Sequence, residues 1–169
     1  LYAVKEADGS ILWQDYFADI SETQLGSSPT VVNGRVYVAF GSIASLFSLD
    51  ALTGNQYWVK REGTNIYSSP CVVNSGVYYN TINYLSVVKA TQGKSIWSIH
   101  DENIMDFASP TYYNGQVYTT TWDSNNTLSF RAVNATTGAT NWEYPANGLG
   151  HGDPLIIDSL VYYLGSNNL

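Results

Sequence analysis

The sequence predicts an all-β chain built from four copies of one unit of about 40 residues, and three observations support this. Short runs of Val, Ile, Tyr, Phe and Leu alternate with Gly, Asn, Ser and Pro, without helical periodicity. A Gly recurs four residues before a Trp, at Gly9/Trp13, Gly54/Trp58, Gly93/Trp97 and Gly138/Trp142. Val-Tyr pairs at residues 36–37, 77–78, 117–118 and 161–162 follow one another at intervals of 41, 40 and 44 residues. Such spacing is typical of a solenoid or a propeller rather than of a single-core domain.

Each repeat contains four strand-sized segments. The first follows a small or acidic residue and a Pro, at Ser28-Pro29, Ser69-Pro70, Ser109-Pro110 and Asp153-Pro154. A tight turn such as Asn33-Gly34 leads to the second strand, because both residues tolerate positive φ. The second strand carries Val-Tyr, the third is of the Leu-Phe-Ser-Leu type, and a Thr-Gly turn leads to the fourth, which carries the Trp. Four antiparallel strands per repeat form the blade of a β-propeller.

The repeated Trp and Gly residues are interpreted as structural. One large ring per blade at a fixed position suits a wedge between neighbouring blades better than four ligand sites. We therefore expect Trp13, Trp58, Trp97 and Trp142 to be equivalent and mostly buried. Each Gly marks a position that a Cβ would strain, at Gly9, Gly54, Gly93 and Gly138.

The phase of the repeats places half-blades at both ends. The predicted units are a half-blade 1–17, blades 28–60, 69–100 and 109–144, and a half-blade 153–169. The first half-blade supplies third and fourth strands, and the last supplies first and second strands. We expect an arc of a larger ring, with open edges that need more of the same chain or another copy. Closure into a four-bladed ring is the alternative, because the small side chains of Ser28, Ser69 and Ser109 leave room where the inner strands would crowd. Because residue 1 is Leu, we also expect a processed or partial chain.

Composition excludes several function classes. Charged residues make up only 12% of the chain and the formal net charge is −7, so no basic face is expected for nucleic acid or anionic lipid. No apolar run approaches the ~20 residues of a membrane helix. The single cysteine, Cys71, excludes an internal disulfide and a multi-cysteine metal site, and its apolar context indicates a buried thiol.

The segment Ser48 to Trp58 resembles the tryptophan-docking motif of quinoprotein (pyrroloquinoline-quinone-type) β-propeller repeats, roughly Ala-x-Asp-x-x-Thr-Gly-Lys-x-x-Trp. Residues 132–142 are similar in their Ala, Thr, Gly and Trp, and the Ser-Ser-Pro-x-Val-Val segment also resembles that family. The resemblance implies a seven- or eight-bladed ring. It also implies that a dehydrogenase would hold its quinone under a Cys-Cys ring, with calcium on Glu, Asn and Asp. This chain has no Cys-Cys pair, so we predict no catalytic, metal or cofactor-binding residues and no cofactor.

Four residues are candidate contacts for a ligand or partner. Trp122 and Asp123 open the longest loop between second and third strands, where a Trp beside polar side chains suits sugar or protein contact; local packing is the alternative. Asp153 replaces the usual Ser before Pro near the expected central channel, with His151 close in sequence. The alternative for Asp153 is a side chain that accepts backbone hydrogen bonds.

Two functions follow as hypotheses. The first is a non-catalytic scaffold or binding module that presents loops to a protein or glycan partner outside the cytoplasm, with possible self-association through open blade edges. The second is a fragment of a quinoprotein dehydrogenase whose catalytic residues lie elsewhere. The same repeats serve both classes, so the motif alone does not choose between them.

Overall fold

The computed structural model describes residues 1–17, 26–41, 43–100, 108–122, 128–146 and 152–163, except for the side chains of residues 122 and 146. These residues form sixteen β-strands and no helix, so the all-β prediction is confirmed. In chain order the strands are β1 Tyr2–Val4, β2 Ile11–Gln14, β3 Thr30–Val32, β4 Arg35–Phe40, β5 Ser45–Asp50, β6 Gln56–Arg61, β7 Cys71–Val73, β8 Gly76–Asn80, β9 Tyr84–Lys89, β10 Ser95–His100, β11 Thr111–Tyr113, β12 Gln116–Trp122, β13 Leu128–Asn134, β14 Thr140–Ala146, β15 Leu155–Ile157 and β16 Leu160–Tyr162.

The strands form three complete blades and two strand pairs. Each complete blade is a four-stranded antiparallel meander, made of β3–β6, β7–β10 or β11–β14. The first pair is β1–β2, and the last pair is β15–β16. Each complete blade follows the strand order predicted for the repeat. The architecture is therefore that of a partial β-propeller.

The hairpin between the first and second strands is fixed by residues with positive φ. In the turn between β3 and β4, Asn33 has a φ of 50° and Gly34 a φ of 72°. This twist matches that of the flanking strands and places Val32 directly opposite Arg35. The register then puts the Val-Tyr pair of β4 in the interior, where Val36 and Tyr37 are buried.

The turn between the third and fourth strands positions the Trp. In the first complete blade, Asp50 accepts hydrogen bonds from the backbone N–H groups of Leu52 and Thr53 at 2.9 and 2.8 Å. Gly54 closes the turn with a φ of 75°. A register shift between Ser48 and Leu49 follows, at the point where β5 pairs with β6. Such a bulge bends the fourth strand and orients its side chains toward the next blade.

The hydrophobic core lies between neighbouring blades. Leu46 of one blade and Val88 of the next belong to the same buried cluster, together with Ile66 of the connecting segment, and all three have no exposed surface. Burial of each such side chain is worth about 1.5–3 kcal/mol. Because each cluster needs two blades, a blade is stabilised mainly by its neighbours.

The two strand pairs remain separate sheets. In the part of the chain that the structure describes, no pairing joins β1–β2 to β15–β16, so the sheets do not close into a four-bladed ring. The expected arc is therefore observed. Among the same residues, no helix has the length and hydrophobicity needed to cross a bilayer.

Candidate functional site

The interface between blades is built by the repeated Trp and Gly. The indole of one blade covers the Gly of the next, and its Nε1–H donates to a backbone carbonyl three residues before that Gly. The three sets are Trp13 with Gly54 and Ala51 (2.9 Å), Trp58 with Gly93 and Ala90 (2.9 Å), and Trp97 with Gly138 and Ala135 (3.1 Å). A β-carbon on any of these glycines would lie 2.6–3.1 Å from the ring, and their φ angles are 66–77°. These positions therefore require glycine.

The same carbonyl accepts a second hydrogen bond, which sequence reasoning missed. The hydroxyl of Tyr37 donates to the Ala90 oxygen at 3.2 Å, beside Trp58. Tyr78 donates in the same way to Ala135 at 3.1 Å. The Tyr of the Val-Tyr pair and the Trp of the Gly-Trp pair therefore donate to the same carbonyl oxygen. Both pairs recur in the sequence with the same period, and this was the signal that could have revealed their contact.

The expected burial does not hold for Trp142, and this expectation is corrected. Its side chain is 41% exposed, whereas Trp58 is 8% exposed. No docking glycine lies against Trp142 in the described residues. At the other end of the arc, a β-carbon added to Gly9 would meet no described atom within 4 Å. The physical reason is that the other rings dock on the turn between the third and fourth strands of the next blade, whereas the described residues after Trp142 include only the first and second strands, β15–β16.

A row of hydrogen bonds joins the first strands along the inner side of the arc. The backbone N–H of Ser28 donates to the Ser69 hydroxyl at 3.0 Å, and that of Ser69 donates to the Ser109 hydroxyl at 2.9 Å. At the last step, the N–H of Ser109 donates to Asp153 Oδ1 at 2.5 Å. Asp153 thus occupies the acceptor position of the other repeats while its side chain is exposed. This contact is the backbone-acceptor role considered as the alternative for Asp153.

Two of the four candidate contacts, Trp122 and Asp153, lie at the same end of the blades. In an antiparallel meander the turns alternate between two ends, so loops between second and third strands lie at the same end as the segments that lead to the next blade. We call this the connector end; it includes Trp122 at the end of β12 and Asp153 before β15. Asp123 and His151 lie outside the described residues, as does the side chain of Trp122. A contact role for these four residues stays a prediction.

The connector between the first two complete blades shows how this end is built. Ile66 is fully buried and anchors the segment. Asn65 donates from Nδ2 to the Tyr67 hydroxyl at 2.6 Å, and its carbonyl accepts the N–H of Ile82 at 3.1 Å. The connector is therefore tied to the neighbouring loop, and it offers amide and phenol groups on a packed base.

The titratable groups near this end have structural contacts. Tyr79 donates to Glu62 Oε1 at 2.5 Å, and Lys60 Nζ lies 3.7 Å from the same oxygen. Burial and the nearby carboxylate raise the pKa of Tyr79 far above its ordinary value, so it remains a hydrogen-bond donor. Burial also raises the pKa of the Cys71 thiol, which disfavours the nucleophilic thiolate. The described ranges hold no group of three His, Cys, Asp or Glu that could bind a metal ion.

Comparison with known proteins assigns this architecture to a family. The family model for outer membrane protein assembly factor BamB matches residues 1–145. BamB from Moraxella catarrhalis has a similar solved structure, with a TM-score of 0.77 and 20% identity over 93% of this chain and 47% of that chain. The quinohemoprotein alcohol dehydrogenase from Comamonas testosteroni has a TM-score of 0.61 and 19% identity over 72% of this chain and 21% of that chain.

A curated relative is the tetrathionate hydrolase of Acidithiobacillus ferrooxidans, which is 25% identical over 192 residues. That alignment covers 98% of this chain and 37% of the hydrolase, so the chain spans well under half the length of this relative. The structural likenesses support the fold. Because the BamB model matches residues 1–145 of 169, the chain belongs to the BamB-type family of pyrroloquinoline-quinone-like β-propeller repeats.

Proposed function

We propose that this chain is a non-catalytic propeller scaffold whose connector end binds a protein partner outside the cytoplasm. The observation that carries the proposal is the match of residues 1–145 to a family described as an outer membrane protein assembly factor. An assembly factor acts on other proteins, and an outer membrane lies outside the cytoplasm. The similarity to BamB also extends over 93% of the chain, against 72% for the alcohol dehydrogenase.

The geometry supports a rigid display surface. The docked rings and their shared carbonyls hold neighbouring blades in fixed relation, so loops at the connector end start from a rigid base. The chain is weakly charged and contains 14 Tyr, and tyrosine is enriched where proteins contact one another. A glycan partner is the second class of ligand for this surface, because phenol and amide groups also suit sugar hydroxyls.

The alternative function is part of a quinoprotein dehydrogenase. It is favoured by the similarity to quinohemoprotein alcohol dehydrogenase and to a europium-containing methanol dehydrogenase, with TM-scores of 0.61 and 0.65. Calorimetry with pyrroloquinoline quinone and Ca²⁺, followed by dye reduction with alcohols, separates the two functions. We expect neither stoichiometric quinone binding nor alcohol-dependent dye reduction. Stoichiometric binding would overturn the non-catalytic proposal.

The partner surface can be tested by site-specific photocrosslinking in the native host. A photoreactive residue at Asp153 samples the connector end, and one at Thr136, also exposed, samples the opposite end as the matched control. We expect protein adducts from position 153 and few from position 136. Adducts from position 136 alone would contradict the assignment of the surface. Binding to a saccharide array without any protein adduct would replace the protein partner by a glycan.

A further inference from the structure

We propose that β10, the outer strand of the second complete blade, binds an extended acidic segment of a partner protein as an added antiparallel strand. This inference is independent of the proposed function, because it concerns the outer edge of one blade rather than the connector end. β10 lies at the end of the sheet order β10-β9-β8-β7, and in the part of the chain that the structure describes it pairs with β9 alone. Complete blades precede and follow it, so this edge belongs to a whole blade. Its outward backbone N–H and C=O groups can therefore pair with another extended chain.

β10 lacks the residues that block the outer strands of the other two complete blades. Proteins normally protect an exposed edge strand with charged side chains or with proline. β6 carries Lys60 and Arg61, and β14 carries Glu143 and Pro145. The sequence of β10 is Ser-Ile-Trp-Ser-Ile-His, which contains no proline and no Asp, Glu, Lys or Arg. Among the three complete blades, β10 is therefore the outer strand suited to accept a further strand.

The inner face of β10 holds this edge in place. Trp97 and Ile99 pack into the hydrophobic cluster shared with the third complete blade, and the Trp97 indole donates to the Ala135 carbonyl at 3.1 Å. The pairing with β9 shifts register between Ser95 and Trp97 and is then continuous as far as His100. An added strand would thus meet a regular and preorganised ladder from Trp97 to His100.

The other face of β10 is open to the side chains of an added strand. Ser98 and His100 alternate with the packed residues and are exposed. Ile96, which precedes them, is 47% exposed. Small and β-branched residues of a partner would cover this surface as cross-strand neighbours do within a sheet.

The charge at one end of β10 defines the partner more closely. Lys89 and Lys94 flank the turn that leads into β10, and both are exposed. They are the only Asp, Glu, Lys or Arg residues between positions 71 and 100, in a chain whose formal net charge is −7. A carboxylate is therefore attracted to this turn, and no acidic side chain of the same blade repels it. An antiparallel partner runs toward this turn, so its acidic residues follow its paired residues.

The test is a titration of the full chain into a fluorescently labelled peptide, Thr-Val-Thr-Val-Thr-Glu-Glu, followed by anisotropy. The variant His100→Pro copies the third complete blade, where Pro145 also lies three residues after the docking Trp. The matched control is Arg61→Pro, at the same position of β6 and also exposed. We expect saturable binding with a Kd that rises about tenfold or more with His100→Pro, because proline removes a donor and obstructs the ladder. Arg61→Pro should change the Kd by less than about twofold.

A second pair of variants tests the charge at the turn. The double variant Lys89→Gln/Lys94→Gln should raise the Kd of the acidic peptide by about threefold to tenfold at low salt. The matched control is Lys5→Gln, because the Lys5 carbonyl accepts the Gly9 N–H at 2.8 Å just as the Lys89 carbonyl accepts the Gly93 N–H. A peptide that ends in Gln-Gln instead of Glu-Glu should bind the double variant and the unaltered chain equally.

Strand pairing itself is tested by methylating alternate backbone nitrogens of the peptide, which should abolish binding. Circular dichroism verifies that each variant is folded. Ser98→Glu, which copies Glu143 at the same distance from the docking Trp, is the second edge variant and should also weaken binding.

Several outcomes would overturn the proposal. Absence of saturable binding would show that the edge does not accept a strand. Equal effects of His100→Pro and Arg61→Pro, or tight binding of the methylated peptide, would place the peptide elsewhere on the molecule. Equal affinity for the acidic and the Gln-ending peptides would contradict the acidic partner. Self-association of the chain that His100→Pro abolishes would make a second copy the occupant of this edge.

Discussion

The shared carbonyl between blades predicts strong coupling between two side chains. Tyr37→Phe removes one donor to the Ala90 oxygen, at 3.2 Å, but the Trp58 indole still donates to it at 2.9 Å. We therefore expect a loss of about 0.5–1 kcal/mol in the free energy of unfolding. Trp58→Phe removes the other donor and part of the ring over Gly93, and we expect a loss of about 1–3 kcal/mol.

The double variant Tyr37→Phe/Trp58→Phe should lose more unfolding free energy than the sum of the losses of the two single variants. Ala90 is 7% exposed, so its carbonyl would have neither side-chain donor nor ready access to water. An unsatisfied buried acceptor costs about 1–3 kcal/mol, and this cost arises only when both donors are absent. Urea unfolding followed by far-ultraviolet circular dichroism measures the four free energies without relying on Trp fluorescence.

The open edge provides the control for this cycle. Tyr118 and Trp142 are the equivalent pair, but their carbonyl acceptor would belong to a following blade. In the 169-residue chain, the losses of unfolding free energy from Tyr118→Phe and Trp142→Phe should therefore add without coupling. Additivity of the Tyr37 and Trp58 variants within about 0.5 kcal/mol would refute the shared-acceptor reasoning.

Three further predictions concern single sites. Hydrogen bonds from the Tyr57 phenol and from the Leu52–Thr53 turn lower the pKa of Asp50 from 3.8 to about 2. The ionised carboxylate should therefore stabilise the fold fully above pH 3.8, and this stabilisation should be lost as the pH falls through about 2. Asp50→Asn should remove this part of the acid dependence, and an unchanged acid transition would contradict it. In thermal unfolding, Gly93→Ala should destabilise the fold by about 1–3 kcal/mol more than Gly34→Ala. Both substitutions put a side chain at positive φ, but only the β-carbon at position 93 would collide with an indole, that of Trp58. Equal losses would contradict the docking contact. Cys71 is half-buried, and this burial raises the pKa of its thiol, so it should react with a thiol reagent at pH 8 more slowly in the folded protein than in urea; equal rates would contradict this.

Local patterns predicted the fold well because a blade is a local structure. The Asn-Gly turn, the Val-Tyr strand and the Gly-to-Trp spacing each act within about 15 residues, and the structure shows the corresponding hairpins at β3–β4 and β5–β6. The spacing also indicated that Trp58 would pack between blades. Its partner glycine was visible in the sequence as part of a repeat, although its contact lies one blade further along the chain.

The candidate site could be predicted only in part. Asp153 stood out because it replaces a Ser, but its hydrogen bond to the backbone of Ser109 depends on how two first strands lie side by side. Likewise, the meeting of Tyr37 and Trp58 at the Ala90 carbonyl joins two strands of one blade to a turn of the next. No spacing within one repeat encodes this contact.

By itself, the sequence determined the repeat, the order of strands within a blade and the residues with positive φ, because these depend on neighbours along the chain. Only the tertiary structure decided which Trp is covered: Trp58 is 8% exposed and Trp142 is 41% exposed, although both follow the same motif. The physical reason is that burial of a docking ring is a property of the next blade. Segments that share the same docking motif therefore have different environments, according to whether the described residues include the third and fourth strands of the next blade.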